Sequence, residues 1–188
     1  MTIPNKIRQV LKNATCLYTK QQVESALDHI AVEIHNELSE LNPVLLTVLK
    51  GGMVLTGNLL PRLDFPLEID NVYATRYQGA LSGSELIWKY EPLINLKDRV
   101  VLIVDDILDL GITLQSITDY CYSKQCVKVY TAVLLDKIIE RPKHGLQKAN
   151  FAALSITHDA YVFGYGLDYK EYLRNAPGIY ETAEEDRN

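Results

Sequence analysis

RVVLIVDDILDLGIT, residues 99–113, joins a short apolar run to three carboxylates and a glycine. Val100–Val104 is uninterrupted and mostly β-branched, the pattern of a strand buried on both faces of a parallel sheet rather than of a half-exposed one. Asp105, Asp106 and Asp109 fall where that strand is expected to leave the sheet, and Gly111, Thr113 and the helix-like LQSITDYCY follow. In open α/β sheets ligands bind beyond the carboxyl ends of the strands, and a tight strand-to-helix turn aims backbone N–H groups at an anion. The stretch reads as a phosphate cradle flanked by acidic groups.

The rest of the chain bounds this reading. A length of 188 residues suffices for one domain with a core of its own, and 47% hydrophobic with 23% charged residues is an ordinary globular balance. The apolar runs are far too short to cross a bilayer, and the start, MTIPNKIRQVLKNATCLY, lacks the sustained apolar core of a signal peptide. Cys16, Cys121 and Cys126 are odd in number and without zinc spacing, which points to reduced thiols and a cytoplasmic protein. The four histidines form no ligand pair, so a His/Cys metal cage is not expected, whereas magnesium held mainly by phosphate oxygens and a carboxylate is compatible with the sequence. A net charge of −5 without clustered Lys and Arg argues against nucleic acid as a partner.

Outward from the quoted stretch, alternating helix and strand signals appear. Val23, Leu27, Ile30, Ala31, Ile34 and Leu38 recur at helical spacing and predict a helix over about 21–39, with Thr19 and Gln22 as its capping box. His29 and His35 fit this helix as ordinary solvated or packed residues. Val44–Leu49 reads as a buried strand, ending at Lys50-Gly51-Gly52 before a short helix near MVLTGNLL. That Lys-Gly-Gly turn is either a tight connection or a place where backbone and Lys50 approach a pyrophosphate. Leu67–Tyr77 and Leu86–Tyr90 read as an antiparallel pair around the small, polar loop 78–85, a composition shared by mobile connections and active-site lids. Val127–Leu135 is the next strand, closed by Asp136-Lys137 on the expected ligand side, and a long connection leads to a short strand at Phe151–Leu154. YVFGYGLDYKEYLRNAPGI, residues 161–179, is either a packed aromatic subdomain or a base-stacking pocket with charged groups.

Five segments in order, VLKGG (48–52), TRYQG (75–79), VLIVDDILDLGIT (101–113), LLDK (134–137) and FGYGLDYKEYLR (163–174), resemble the purine phosphoribosyltransferases of the hypoxanthine-guanine family. The acidic loop alone indicates a phosphoribosyl diphosphate site, and LLDK with GYGLDY adds the 6-oxopurine assignment. The resemblance implies an α/β fold: a mostly parallel twisted sheet flanked by helices, the type I phosphoribosyltransferase core, with a small hood. It implies a single domain over 1–188, with core about 21–150 and hood about 1–20 and 151–188. It also implies the reaction of hypoxanthine or guanine with phosphoribosyl diphosphate, giving IMP or GMP and pyrophosphate, with Mg2+ as cofactor and a homodimer or homotetramer as the assembly.

Carried over position by position, the resemblance assigns Asp105 and Asp106 to the ribose hydroxyls, directly or through magnesium, and Asp109 to the purine N7 as general acid/base. Leu110, Gly111, Ile112 and Thr113 would cradle the 5′-phosphate; Lys50, Gly51 and Arg174 would contact pyrophosphate. Tyr161 would stack on the base, Lys137 bind its O6 and Val162 present backbone groups to its edge. Asp168 would hold the second magnesium, while Arg76 and Tyr77 open the closing loop. The chemistry suits these residue types. Charge separates between ribose and leaving group, so fixed charges and metal serve better than a protein nucleophile. A lysine donor prefers a carbonyl acceptor, which disfavours adenine. Leu110 departs from the pattern, standing where a threonine or serine hydroxyl is common, and weaker phosphate binding is the expected consequence. Three rivals share parts of these signals: a xanthine-preferring transferase, a non-catalytic sensor of phosphoribosyl diphosphate, and a doubly wound domain binding an unrelated phosphate.

Overall fold

A computed structural model describes residues 2–76 and 86–187. The chain runs α1 (Ile3–Asn13), β1 (Thr15–Tyr18), α2 (Lys20–Leu38), β2 (Val44–Val48), α3 (Gly52–Leu59), β3 (Glu68–Arg76), β4 (Leu86–Tyr90), β5 (Val100–Leu108), α4 (Ile112–Ser123), β6 (Lys128–Lys137), β7 (Phe151–Ile156), β8 (Val162–Phe163) and β9 (Ile179–Glu181). A six-stranded sheet has the order β4-β3-β2-β5-β6-β7, parallel throughout except for the β3–β4 pair. This is the expected mostly parallel α/β core.

The central strand explains why the run of Val100–Val104 carries no polar face. Leu102 and Val104 of β5 join Leu45 of β2 in packing against Val23, Leu27, Ile30, Ile34 and Leu38 of α2. On the other side Val101 and Ile103 join Leu46 in packing against Leu114, Ile117 and Cys121 of α4. Each fully buried aliphatic side chain contributes about 1.5–3 kcal/mol by leaving water, so apolar residues are favoured on both faces of β5. The expected capping box opens α2: the Thr19 hydroxyl accepts from the Gln22 amide and the Gln22 side chain accepts from the Thr19 amide.

Two expected boundaries move. β5 continues past Val104, with Asp105 paired to Val133 and Leu108 to Asp136, so the acidic pair lies inside the strand end rather than beyond it. β7 is the edge of the six-stranded sheet, paired with β6 from Ala132↔Phe151 to Lys137↔Ile156, so the core extends to Ile156 instead of ending near 150. The strand expected at Phe151–Leu154 thus joins this ladder and runs on to Ile156.

A second, three-stranded sheet of order β1-β9-β8 is antiparallel, and Val10 of α1 clusters with Phe163, Tyr169 and Ala176 beside it. Among the described residues no helix is long and apolar enough to cross a membrane. From β2 the chain passes to its neighbour β3 on one side, and from β5 to β6 on the other. The strand order thus reverses between β2 and β5, and the carboxyl ends of these two strands are the favoured ligand position in such sheets.

Candidate active site

The two turns at this switch point meet in contact. A Cβ at Gly51 would lie 2.1 Å from the Asp106 carboxylate, so glycine is what lets the turn after β2 close on the acidic end of β5. The Leu49–Lys50 peptide in that turn is cis. On the facing side Gly111, at φ 73°, is the residue before α4, and a Cβ there would stand 2.3 Å from the Leu146 carbonyl oxygen. Ile112 and Thr113 are the first residues of α4, whose unpaired N-terminal N–H groups and dipole favour an anion. A cavity of about 210 Å³ is lined by Asp105, Asp106, Asp109 and the 110–113 turn.

Because the strand continues, Asp105 is buried and Asp106 largely so. Burial first, and then the neighbouring Asp106 charge, push the Asp105 carboxyl well above the usual carboxylate range. Asp106 is pushed up to about 6 by burial, against the opposing pull of Arg174. Arg174 Nη1 lies 3.6 Å from Asp106, Nη2 lies 2.7 Å from Asp168, and Nη1 donates to the Gly166 carbonyl at 2.7 Å. Lys50 ion-pairs with Glu171 at 2.7 Å, and Glu171 is also 3.9 Å from Arg174. That pairing raises the Lys50 pKa and lowers that of Glu171. Both cations expected to meet pyrophosphate thus converge on one carboxylate.

The second charged group forms at the ends of the neighbouring strands β5 and β6. Lys137 is buried, with its ammonium 3.2 Å from Asp109 and 2.9 Å from Asp159. Its hydrogen bond holds Asp159 below the usual carboxylate range. Tyr161 and Val162 follow shortly after Asp159. The Tyr161 ring is partly exposed and edge-on to Tyr169, while Val162 is buried and paired with Glu181 in the three-stranded sheet. The expected residues Lys50, Gly51, Asp106, Asp168 and Arg174 are therefore linked, as are Asp109 and Lys137. Arg76 ends β3, but its side chain, Tyr77 and the expected lid at 78–85 lie outside the described residues.

Three participants had no assignment in the sequence. Glu171 lies within the YKEYLR motif but was masked by its charged neighbours; Asp159 precedes the aromatic stretch; Arg141 is one of several basic residues in a loop without periodicity. A buried guanidinium is visible only once the fold closes around it: Arg141 pairs with Asp136 at 2.5 Å.

Residues 13–170 match the phosphoribosyl transferase domain family. The chain belongs to the phosphoribosyltransferase family. It is 30% identical over 184 residues to the hypoxanthine-guanine phosphoribosyltransferase of Streptococcus pneumoniae, covering 97% of each chain. It is 28% identical over 163 residues to the hypoxanthine-guanine-xanthine phosphoribosyltransferase of Tritrichomonas foetus, covering 87% of this chain and 88% of that one. Its fold superposes on a crystal structure of a Staphylococcus aureus hypoxanthine phosphoribosyltransferase with a TM-score of 0.87 at 27% identity, covering 94% of this chain and 96% of that one. For a phosphoribosyltransferase the carboxylate set also bears on the metal. Among the described residues no group of three or more His, Cys, Asp or Glu side chains is placed to hold an ion. The hard oxygens of Asp105, Asp106 and Asp168 suit magnesium arriving with phosphate oxygens, the usual way that ion is bound.

Proposed function

We propose that this phosphoribosyltransferase is a purine-salvage enzyme that joins hypoxanthine or guanine to phosphoribosyl diphosphate, releasing pyrophosphate and IMP or GMP. The observation that carries the reading is the Asp109–Lys137 pair, 3.2 Å apart at the ends of adjacent parallel strands and beside the phosphate turn. It pairs a proton acceptor with a cationic donor, the combination that fits N7–H and O6 of a 6-oxopurine.

In this reading the 110–113 turn and the Thr113 hydroxyl hold the 5′-phosphate, and Asp105 and Asp106 hold the ribose hydroxyls. Lys50, Gly51 and Arg174 take the diphosphate, which replaces Glu171 between the two cations. Tyr161 stacks on the base, Val162 meets its edge, and Arg76 and Tyr77 open the closing loop. Asp105 and Asp106 would hold one magnesium with the ribose hydroxyls and Asp168 a second, and the metal would supply charge neutralisation of the diphosphate. The base N9 bonds to C1′ as the C1′–oxygen bond to pyrophosphate breaks, and Asp109 takes the N7 proton. Preorganised charge stabilises both ends of the separating pair. The assembly we propose is a homodimer or homotetramer, for which the exposed Ile69 and Leu93 provide apolar surface. The free thiols Cys16, Cys121 and Cys126 suit the cytoplasm.

A spectrophotometric assay with phosphoribosyl diphosphate, magnesium and each of hypoxanthine, guanine, xanthine and adenine tests this function. Turnover of hypoxanthine and guanine but not adenine is expected. Xanthine as the preferred base would move the chain toward the Tritrichomonas relative's named range. No turnover of any base with retained binding of phosphoribosyl diphosphate would replace the enzyme by a sensor.

A further inference from the structure

Arg141 lies in the connection between β6 and β7, in a segment that forms neither helix nor strand, yet its side chain is only 5% exposed. A buried guanidinium is strongly unfavourable unless its N–H groups are matched by acceptors. Here they are matched at the two strand ends that carry the site. Nε donates to the Asp109 carbonyl at 2.6 Å, and Nη2 faces the Leu108 carbonyl at 3.0 Å, the Asp136 carboxylate at 2.5 Å and the Lys137 carbonyl. Nη1 donates to the Gln147 carbonyl at 2.9 Å, which fastens the loop to itself. A second tie runs from the same loop, where the Leu146 amide donates to the Gly111 carbonyl at 3.0 Å.

We propose that Arg141 is a positioning residue that sets the phosphate turn and fixes the spacing of Asp109 and Lys137. The inference deepens the function proposed above and rests on it. Arg141 does not line the cavity beside the turn, so it acts through the groups it holds. In a planar trans peptide the N–H points opposite to the C=O. Holding the Leu108 and Asp109 carbonyls on Arg141 therefore directs the N–H groups of Asp109 and Leu110 to the opposite side of the turn. The same guanidinium grips the carbonyl of Lys137 and the carboxylate of Asp136, so the ends of β5 and β6 are joined by one rigid planar group. That junction is where a base must meet Asp109 and Lys137 together. A lysine at 141 keeps the charge for Asp136 but gathers its three donors on one nitrogen at the end of a flexible stem and cannot span both strand ends as the planar fork does.

The test compares wild type, Arg141→Lys and Arg141→Ala by circular dichroism, thermal melting, titration calorimetry with phosphoribosyl diphosphate, and steady-state kinetics with hypoxanthine. Folded Arg141→Lys is expected to lose about tenfold or more in kcat/KM, with KM for phosphoribosyl diphosphate raised and kcat lowered. Guanidinium chloride at low concentration is expected to restore part of the Arg141→Ala activity, and sodium chloride at equal ionic strength is not. Wild-type kinetic constants in Arg141→Lys, whatever its melting temperature, would overturn the proposal, as would equal recovery with either salt. If Arg141→Ala does not fold, Arg141→Lys decides alone. If wild type turns over no base, the functional reading fails, and the clamp is then judged by calorimetry: weaker binding of phosphoribosyl diphosphate to Arg141→Lys supports it and equal binding overturns it.

Discussion

Leu110 and Asp106, one in the turn after β5 and one at the end of the strand, show how single residues pull the site in different directions. Leu110 is partly exposed at the rim of the phosphate turn and offers no hydroxyl. A hydrogen bond to a charged group contributes roughly 1.5–3 kcal/mol, so Leu110→Thr is expected to lower KM for phosphoribosyl diphosphate by roughly tenfold, read from initial rates; an unchanged KM would mean the backbone donors already suffice. Asp106 has the opposite character, a carboxylate useful to a ligand and costly without one. Its folded pKa of about 6 exceeds the unfolded value, so the folded chain binds that proton more tightly. The cost of ionisation starts as pH rises through the unfolded value, ~3.9, and is complete above the folded one. Asp106→Asn should therefore stabilise the ligand-free protein at pH 7.5, read as a higher Tm, with the gain vanishing toward pH 4. The same variant should bind phosphoribosyl diphosphate and magnesium less tightly. Melting curves across pH, with and without these ligands, check both halves.

At the scale of elements, local patterns in the sequence carry the scaffold well and its long-range closures poorly. The period of α2, its Thr19–Gln22 capping box and the all-apolar start of β5 each follow from residues close together in the chain. The continuation of β5 through Asp105 and Asp106 depends instead on partners supplied by β6, and the placement of β7 depends on the same strand. No local periodicity encodes either. α1 is likewise absent from the sequence reading, since its burial rests largely on Val10 against the distant Phe163 and Tyr169. Two substitutions separate local from long-range contributions. Thr19→Ala removes an N-cap and should cost about 1 kcal/mol of stability with catalysis intact. Gly111→Ala strains a left-handed residue and drives a Cβ into the Leu146 carbonyl. It should cost about 1 kcal/mol or more and also weaken phosphoribosyl diphosphate binding, because the start of α4 moves with it. Denaturation and ligand titration of the two variants make the contrast.

For the whole molecule, the reversal of strand order between β2 and β5 is what turns separate motifs into a site. It brings the Lys50-Gly51 turn against Asp106, while the segment after β8 supplies Asp168 and Arg174 from the far end of the chain. The motifs were legible because they sit at strand ends and in glycine-containing turns. Glu171, Asp159 and Arg141 were not, because their roles exist only as pairings across 121, 22 and 32 positions of sequence. In the proposed function the three aspartates divide the labour: Asp105 and Asp106, at the end of β5, serve ribose and metal, and Asp109 beside Lys137 serves the purine. The most direct measurement of that division is kcat with hypoxanthine for wild type and Asp109→Asn, alongside the affinity of each for phosphoribosyl diphosphate. Loss of the proton acceptor should lower kcat by roughly 10²–10⁴-fold while leaving that affinity nearly unchanged. Equal kcat in the two proteins, or an affinity that falls as far as the rate, would contradict it.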